Sequence, residues 1–160
     1  MNLNVVFIPK DINFTPTEDA VEAVSQYLED AVGDSVDFVD VGIAPRLFFV
    51  DEGDTWLPTI GCSSCGTEMQ THGEHADWVQ AFREELISNQ SLDLNSYSVA
   101  MPCCGKETLV KSLDFGGKAG FARFSATLEG ADIEGQEDKI AEDISRLIGS
   151  PIAVVELVST

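Results

Sequence analysis

All four cysteines of the chain sit in two short turns that end in glycine, Cys62-Ser63-Ser64-Cys65-Gly66 and Pro102-Cys103-Cys104-Gly105. A tight turn closed by glycine lets the backbone fold back and aim thiolates and amide N–H groups at one point. Two such turns separated by the stretch 66–101 have the spacing of a split metal site, and that site then ties distant parts of the chain together. The first turn has the regular C-x-x-C-G form. In the second, Met101 stands where a regular knuckle has its first cysteine, so the ligand set reads Cys62, Cys65, Cys103 and Cys104, with two adjacent residues turned toward one cation. Zinc is the expected metal.

Two other readings of these residues stay open. His72 or His75, in the loop after the first turn, could replace a thiol that cannot turn inward. A thiol redox site is the second. Dithiol oxidoreductases place their second cysteine in a helix whose N-terminus lowers the thiol pKa, whereas here Gly66 follows Cys65 and the next helical pattern starts near Asp77. Cys103 and Cys104 could close only a small strained ring, a poor structural disulfide.

Charge narrows the partners. The sequence has 28 acidic against nine basic side chains, a formal net charge of −19. Nucleic acid is disfavoured, because phosphate binding needs a clustered basic face and the lysines and arginines here are scattered. Binding to a basic protein is electrostatically permitted, and so is a merely solvating role for the acidity. Apolar residues make up 44 % of the chain, which supports a packed core despite the charge. Met1–Lys10 has no basic start, and its apolar run Val5–Ile8 is too short for an export or membrane segment, so a cytoplasmic address and no membrane partner are expected.

The remaining segments predict strand and helix modules. Asn2–Pro9 reads as a strand buried on both faces. Thr15-Pro16-Thr17-Glu18 reads as a capped helix start with Thr15 as the cap, and Val21, Val24, Leu28 and Ala31 continue it to Gly33. Ser35–Ile43 and Leu47–Val50 read as two strands divided at Pro45. Trp78, Phe82 and Leu86 mark a helix over about 77–87 with a core-facing stripe. Tyr97–Ala100 enters the second turn as a strand, and Leu109–Phe115 is expected to return from it. Gly116–Gly120 lacks the strand, the spacing and the Lys-Ser or Lys-Thr ending of a phosphate loop. Phe121–Leu128 is a further strand, in which Arg123 is expected to serve the fold by meeting an acidic group. Ile140, Ile144, Leu147 and Ile148 form one helix face closed by Gly149, and Ile152–Leu157 is apolar enough to be expected inside the sheet.

The run from Pro102-Cys103-Cys104-Gly105 through Ser112-Leu113-Asp114-Phe115 to Ala119-Gly120-Phe121-Ala122-Arg123-Phe124 resembles a family of small bacterial α+β proteins. That family carries an earlier C-x-x-C-G knuckle, a P-C-C-G or C-P-x-C-G knuckle and an Ala-Gly-Phe-Ala-Arg-Phe strand. Gly117-Lys118 stands where the family has Trp-Pro. The resemblance implies a zinc-bearing fold and assigns no activity.

The sequence therefore predicts an α+β fold of one domain over 1–160, with helices packed on a mixed or antiparallel sheet and a zinc-ribbon-like excursion at about 60–115. It predicts a zinc-stapled acidic binding or regulatory protein without catalytic activity, one form of which inhibits a basic protein partner. The alternative is a thiol redox or zinc-dependent enzyme using Cys62, Cys65, His72 and His75.

Overall fold

The computed structural model describes residues 2–50, 59–70, 73–89, 91–115 and 119–159. The fold is α+β. The chain divides into two compact units, one built from 1–48 together with 121–160 and the other from 49–120.

The first unit is a four-stranded sheet carrying two helices. Its strands are β1 (Asn2–Pro9), β2 (Phe38–Val50), β7 (Gly120–Glu129) and β8 (Ile152–Ser159), in the order β2-β7-β1-β8. Helix α1 (Glu18–Val32) joins β1 to β2, and α3 (Glu137–Ile148) joins β7 to β8. Each helix thus connects strands that are not neighbours, and β1 receives β7 on one edge and β8 on the other, both antiparallel. This is the twofold split βαβ arrangement of ferredoxin-like sheets.

Period-two alternation explains the packing. Val5 and Phe7 of β1, with Phe124, Ala126 and Leu128 of β7, form a buried face joined by Val24, Leu28 and Val32 of α1 and by Ile140, Ile144 and Ile148 of α3. Burial of each large side chain contributes about 1.5–3 kcal/mol. Val6 and Ile8 are buried as well, so β1 is covered on both faces as its unbroken apolar run requires. The helices are also latched by a polar contact, in which the Tyr27 hydroxyl donates to Asp143 Oδ2 at 2.5 Å.

Several boundaries differ from expectation. The cap of α1 is Thr17, whose hydroxyl accepts from the Ala20 amide at 3.2 Å, and Pro16 lies before the helix rather than at its first position. Ser35–Ile43 and Leu47–Val50 are not two strands, because β2 runs unbroken through Pro45. As an edge strand it can include a proline without losing a ladder bond. Arg123 supports it there: its guanidinium donates to the carbonyls of Ala44 and Pro45 at 3.2–3.3 Å. Its partners are backbone oxygens and not the acidic group expected. Phe38 points outward, 56 % exposed, and Leu147 leaves the core face of α3. Most consequentially, β8 is an edge strand and not an interior one, although Ile152, Val155 and Leu157 are buried. Gly116–Lys118 of the glycine cluster and the run before Thr59 lie outside the described residues.

Among the described residues no helix is long and apolar enough to cross a membrane.

Two measurements check these contacts. Removing the guanidinium in Arg123→Ala should cost about 1–2 kcal/mol in denaturant titration, because the partly buried Ala44 carbonyl and the exposed Pro45 carbonyl lose a charged donor. The Tyr27–Asp143 contact should make stability fall at both ends of the pH scale. Burial and the Asp143 carboxylate push the Tyr27 phenol up to about 12, while the Tyr27 hydroxyl and then Lys139 hold Asp143 below its ordinary 3.8. Stability from the raised phenol is complete below pH 10 and is lost as pH climbs toward 12; that from the lowered carboxyl is complete above its unfolded value and is lost as pH falls beneath it. Melting curves of Tyr27→Phe should lack the alkaline decline that wild type shows between pH 10 and 12, and matching declines would contradict this assignment.

Candidate metal centre

The second unit contains two small hairpins. In the first, β3 (Thr59–Gly61) pairs antiparallel with β4 (Glu68–Gln70); in the second, β5 (Ser98–Ala100) pairs antiparallel with β6 (Glu107–Leu109). Helix α2 (Ala76–Ser88) lies between them in sequence, with Val79, Phe82 and Leu86 buried and Trp78 stacked on Phe82 at 4.9 Å between ring centroids. The return strand of the second hairpin is Glu107–Leu109 and not the expected Leu109–Phe115, since a 3₁₀ turn at Val110–Ser112 ends it.

The two hairpins have the same construction. The Cys62 amide donates to the Thr67 carbonyl at 2.9 Å and the Gly66 amide to the Cys62 carbonyl at 2.8 Å; equivalently, Met101 donates to Lys106 at 3.0 Å and Gly105 to Met101 at 2.7 Å. Gly66 and Gly105 take the same left-handed backbone, with φ of +78° and +73°. L-residues with a Cβ rarely adopt that conformation, which explains the glycine that ends each turn. Superposed on this pattern, Met101 occupies the place of Cys62, Cys104 that of Cys65, and Cys103 that of Ser64. The two residues of the Cys62–Met101 pair are buried alike, at 3 % and 1 % exposure.

Contacts between the hairpins set the distance across which they face. Gly61 and Asp114 exchange two backbone hydrogen bonds, 2.6 and 3.1 Å, returning the chain after the second hairpin to the strand before the first turn. Gly61 suits that approach, since a Cβ there would meet Asp114 Cβ at 3.1 Å. Ser63 and Ser112 hydroxyls lie 2.8 Å apart, and those of Ser64 and Thr108 2.6 Å apart. Ser112 and Thr108 spend their own protons on the carbonyls of Leu109 and Lys106, so the serines of the first turn act as donors.

The result brings all four cysteine sulfurs within 4.8 Å of one another, a group that could hold a metal ion. None is bonded to another. Cys62 Sγ lies 3.9 Å from Cys104 Sγ, and Cys65 Sγ lies 3.3 Å from Cys103 Sγ. A tetrahedron with metal–sulfur bonds of about 2.3 Å has edges of about 3.8 Å, close to the first of these separations. Both pairs join one hairpin to the other.

The thiols differ in proton affinity. The Thr67 hydroxyl, 3.2 Å from Cys65 Sγ, and the Thr67 backbone, with a smaller contribution from Cys103, pull Cys65 down to about 6. Burial, then hydrogen bonding with Cys65 and the other two cysteines, pushes Cys103 up to about 12. A metal cation reverses the second effect, because a coordinated thiol is deprotonated.

His75 does not join this group. His75 is the residue before α2 and lies outside the sulfur cluster, while His72 falls outside the described residues. Sequence reading found the sulfurs but missed the hydroxyl and Gly61–Asp114 links, whose one-dimensional trace is no more than small polar residues beside the turns. No family model matches the chain, and neither a curated protein nor a solved structure is significantly similar to it.

The repeated construction makes a test available. Cys103→Ser should lower the metal content of purified protein well below that of wild type. Adding Met101→Cys to that variant rebuilds the regular knuckle and should recover the metal, as measured by elemental analysis; continued loss in the double variant would show that the two hairpins are not interchangeable in this way.

Proposed function

We propose that the protein is a zinc-stapled acidic binding protein whose partner is a basic protein. The convergence of Cys62, Cys65, Cys103 and Cys104 within 4.8 Å carries the zinc reading. Four thiolates in a tetrahedral set suit zinc or iron, and zinc is the choice for a site without a redox task. Four protein ligands also close the coordination sphere, leaving no position at which water is activated. Metal held this way links two hairpins and adds its binding energy to the folding of the unit. An enzyme using Cys62, Cys65, His72 and His75 draws less support, since His75 stands apart from the sulfurs. The resemblance of the second knuckle and the Ala119–Phe124 strand to small zinc-bearing bacterial proteins points the same way.

The acidity supports the partner. Helix α1 carries Glu18, Asp19, Glu22, Glu29 and Asp30 on its exposed surface and has no lysine or arginine within it. On α3, Asp138 and Glu142 are exposed, and Lys139 and Arg146 form short ion pairs within the helix. The two helices pack together over one sheet face, so α1 offers a negative surface backed by a rigid core. Such a surface accelerates association with a basic partner and repels nucleic acid.

Elemental analysis of protein purified without added metal should give about one zinc per chain. Iron in its place, or stoichiometric absence of metal, would remove the zinc reading. Retention of a basic protein from the native host should then fall steeply with salt and be lost in a Glu18→Lys, Glu22→Lys variant that keeps its zinc. Retention unaffected by those substitutions would remove α1 as the binding surface.

A further inference from the structure

We propose that Cys65 and Cys103 join in a disulfide when the protein meets a peroxide, and that this bond takes over from the metal as the tie between the hairpins. The proposal rests on the reading of the four sulfurs as a metal site. Its basis is that they are not equivalent. Of the two close pairs that span the hairpins, Cys65–Cys103 is nearer, at 3.3 Å against 3.9 Å for Cys62–Cys104. Both of its sulfurs are open to some degree, Cys65 exposed and Cys103 half-buried, whereas the other pair joins the exposed Cys104 to Cys62, a resolving thiol that is only 3 % exposed. The irregular knuckle is what creates this pair. Cys103 occupies the place that Ser64 holds in the first hairpin, within a turn segment exposed from Ser63 to Cys65, rather than the buried place held by Met101. A thiol at the Met101 position would belong to the interior. At position 103 it faces Cys65 instead.

The chemistry balances with a hydroperoxide as oxidant. The Cys65 thiolate attacks one peroxide oxygen; an S–O bond forms, the O–O bond breaks, and the departing oxygen takes a proton from solvent and leaves as water or alcohol. The Cys103 thiolate then attacks the sulfenic sulfur, forming the S–S bond and expelling the oxygen, which leaves as water with a second solvent proton. Two electrons pass from the sulfur pair to the peroxide. Closing 3.3 Å to the bond length of about 2.05 Å needs sulfur movement of about 1.2 Å, within the reach of side-chain rotation. Cys62 and Cys104 remain, two ligands where zinc needs four, so the ion departs. The hairpins stay joined throughout, first by metal and then by sulfur.

The experiment uses the full chain, purified reduced, with its metal content measured first. Hydrogen peroxide is added while a colorimetric chelator reports zinc. Free thiols are then alkylated with one reagent, the disulfide is reduced, and the thiols released are alkylated with a second reagent and located by fragment-ion mass spectrometry. Localisation needs fragment ions because Cys62 and Cys65 share one tryptic peptide and Cys103 and Cys104 another. The expected result is release of the bound zinc, a mass loss of two hydrogens, and the second label on Cys65 and Cys103. The oxidised chain should also melt above the reduced chain stripped by chelator. Second label on Cys62 or Cys104, or oxidation that stops at sulfinic acid, overturns the switch while leaving a measured zinc content intact. A chain that carries no metal yet forms the Cys65–Cys103 bond overturns the metal reading and supports the disulfide.

Discussion

Strand β1 is hydrogen-bonded on both edges, antiparallel to β7 through Val5–Phe7 and to β8 along its whole length, and the first unit is organised by that double pairing. Because β7 stands between β1 and β2, the helix leaving β1 must cross a strand before β2 can begin, and the same holds for α3 between β7 and β8. Both helices are thereby used as crossovers, and their apolar stripes cover the Val5, Phe7 and Phe124 face. Polar latches such as Tyr27–Asp143 only fix how the helices settle on a core already defined by that face.

The second unit is governed by backbone geometry more than by core volume. Its hairpin strands are three residues long, too short to be stable alone, and they depend on what connects them. Two left-handed glycines shape the turns, the Gly61–Asp114 bonds bring the turns into register, and hydroxyl pairs fasten them. The sulfurs are held in range of one another by contacts that are not themselves metal ligands. A metal ion entering such a site is met by a partly organised cage, which lowers the ordering cost of binding.

The parts of this architecture legible in the sequence are those fixed by local pattern. The run Val5–Ile8 gives a strand covered on both sides, the Ile140, Ile144 and Ile148 spacing gives a helix face, and each C-x-x-C-G or P-C-C-G run gives a glycine-closed turn. What was not legible depends on neighbours distant in the chain. Nothing local distinguishes Thr15 from Thr17 as the cap when Pro16 suits either choice. Pro45 reads as a break until β2 is known to be an edge strand with Arg123 on its carbonyls. Ile152–Leu157 has the composition of an interior strand and stands at the edge, because strand order is decided by the crossovers and not by the strand. In the candidate metal centre, the four cysteines are visible as letters, while the correspondence of Met101 with Cys62 emerges only from matched hydrogen bonds.

The division of the chain also sets the order in which it can be made. The hairpin unit is continuous, 49–120, so all of its residues are available as soon as that stretch leaves the ribosome. The sheet unit is drawn from both sides of it, and β1 precedes both of its partners in the chain, so it has neither until β7 and then β8 emerge. While the stretch between β1 and β7 is being made, an apolar strand, Val5 to Ile8, therefore waits without its hydrogen-bonding edges satisfied, and closure of the sheet is a long-range event. With β8 as the closing strand, loss of a few of its residues bears on the whole sheet.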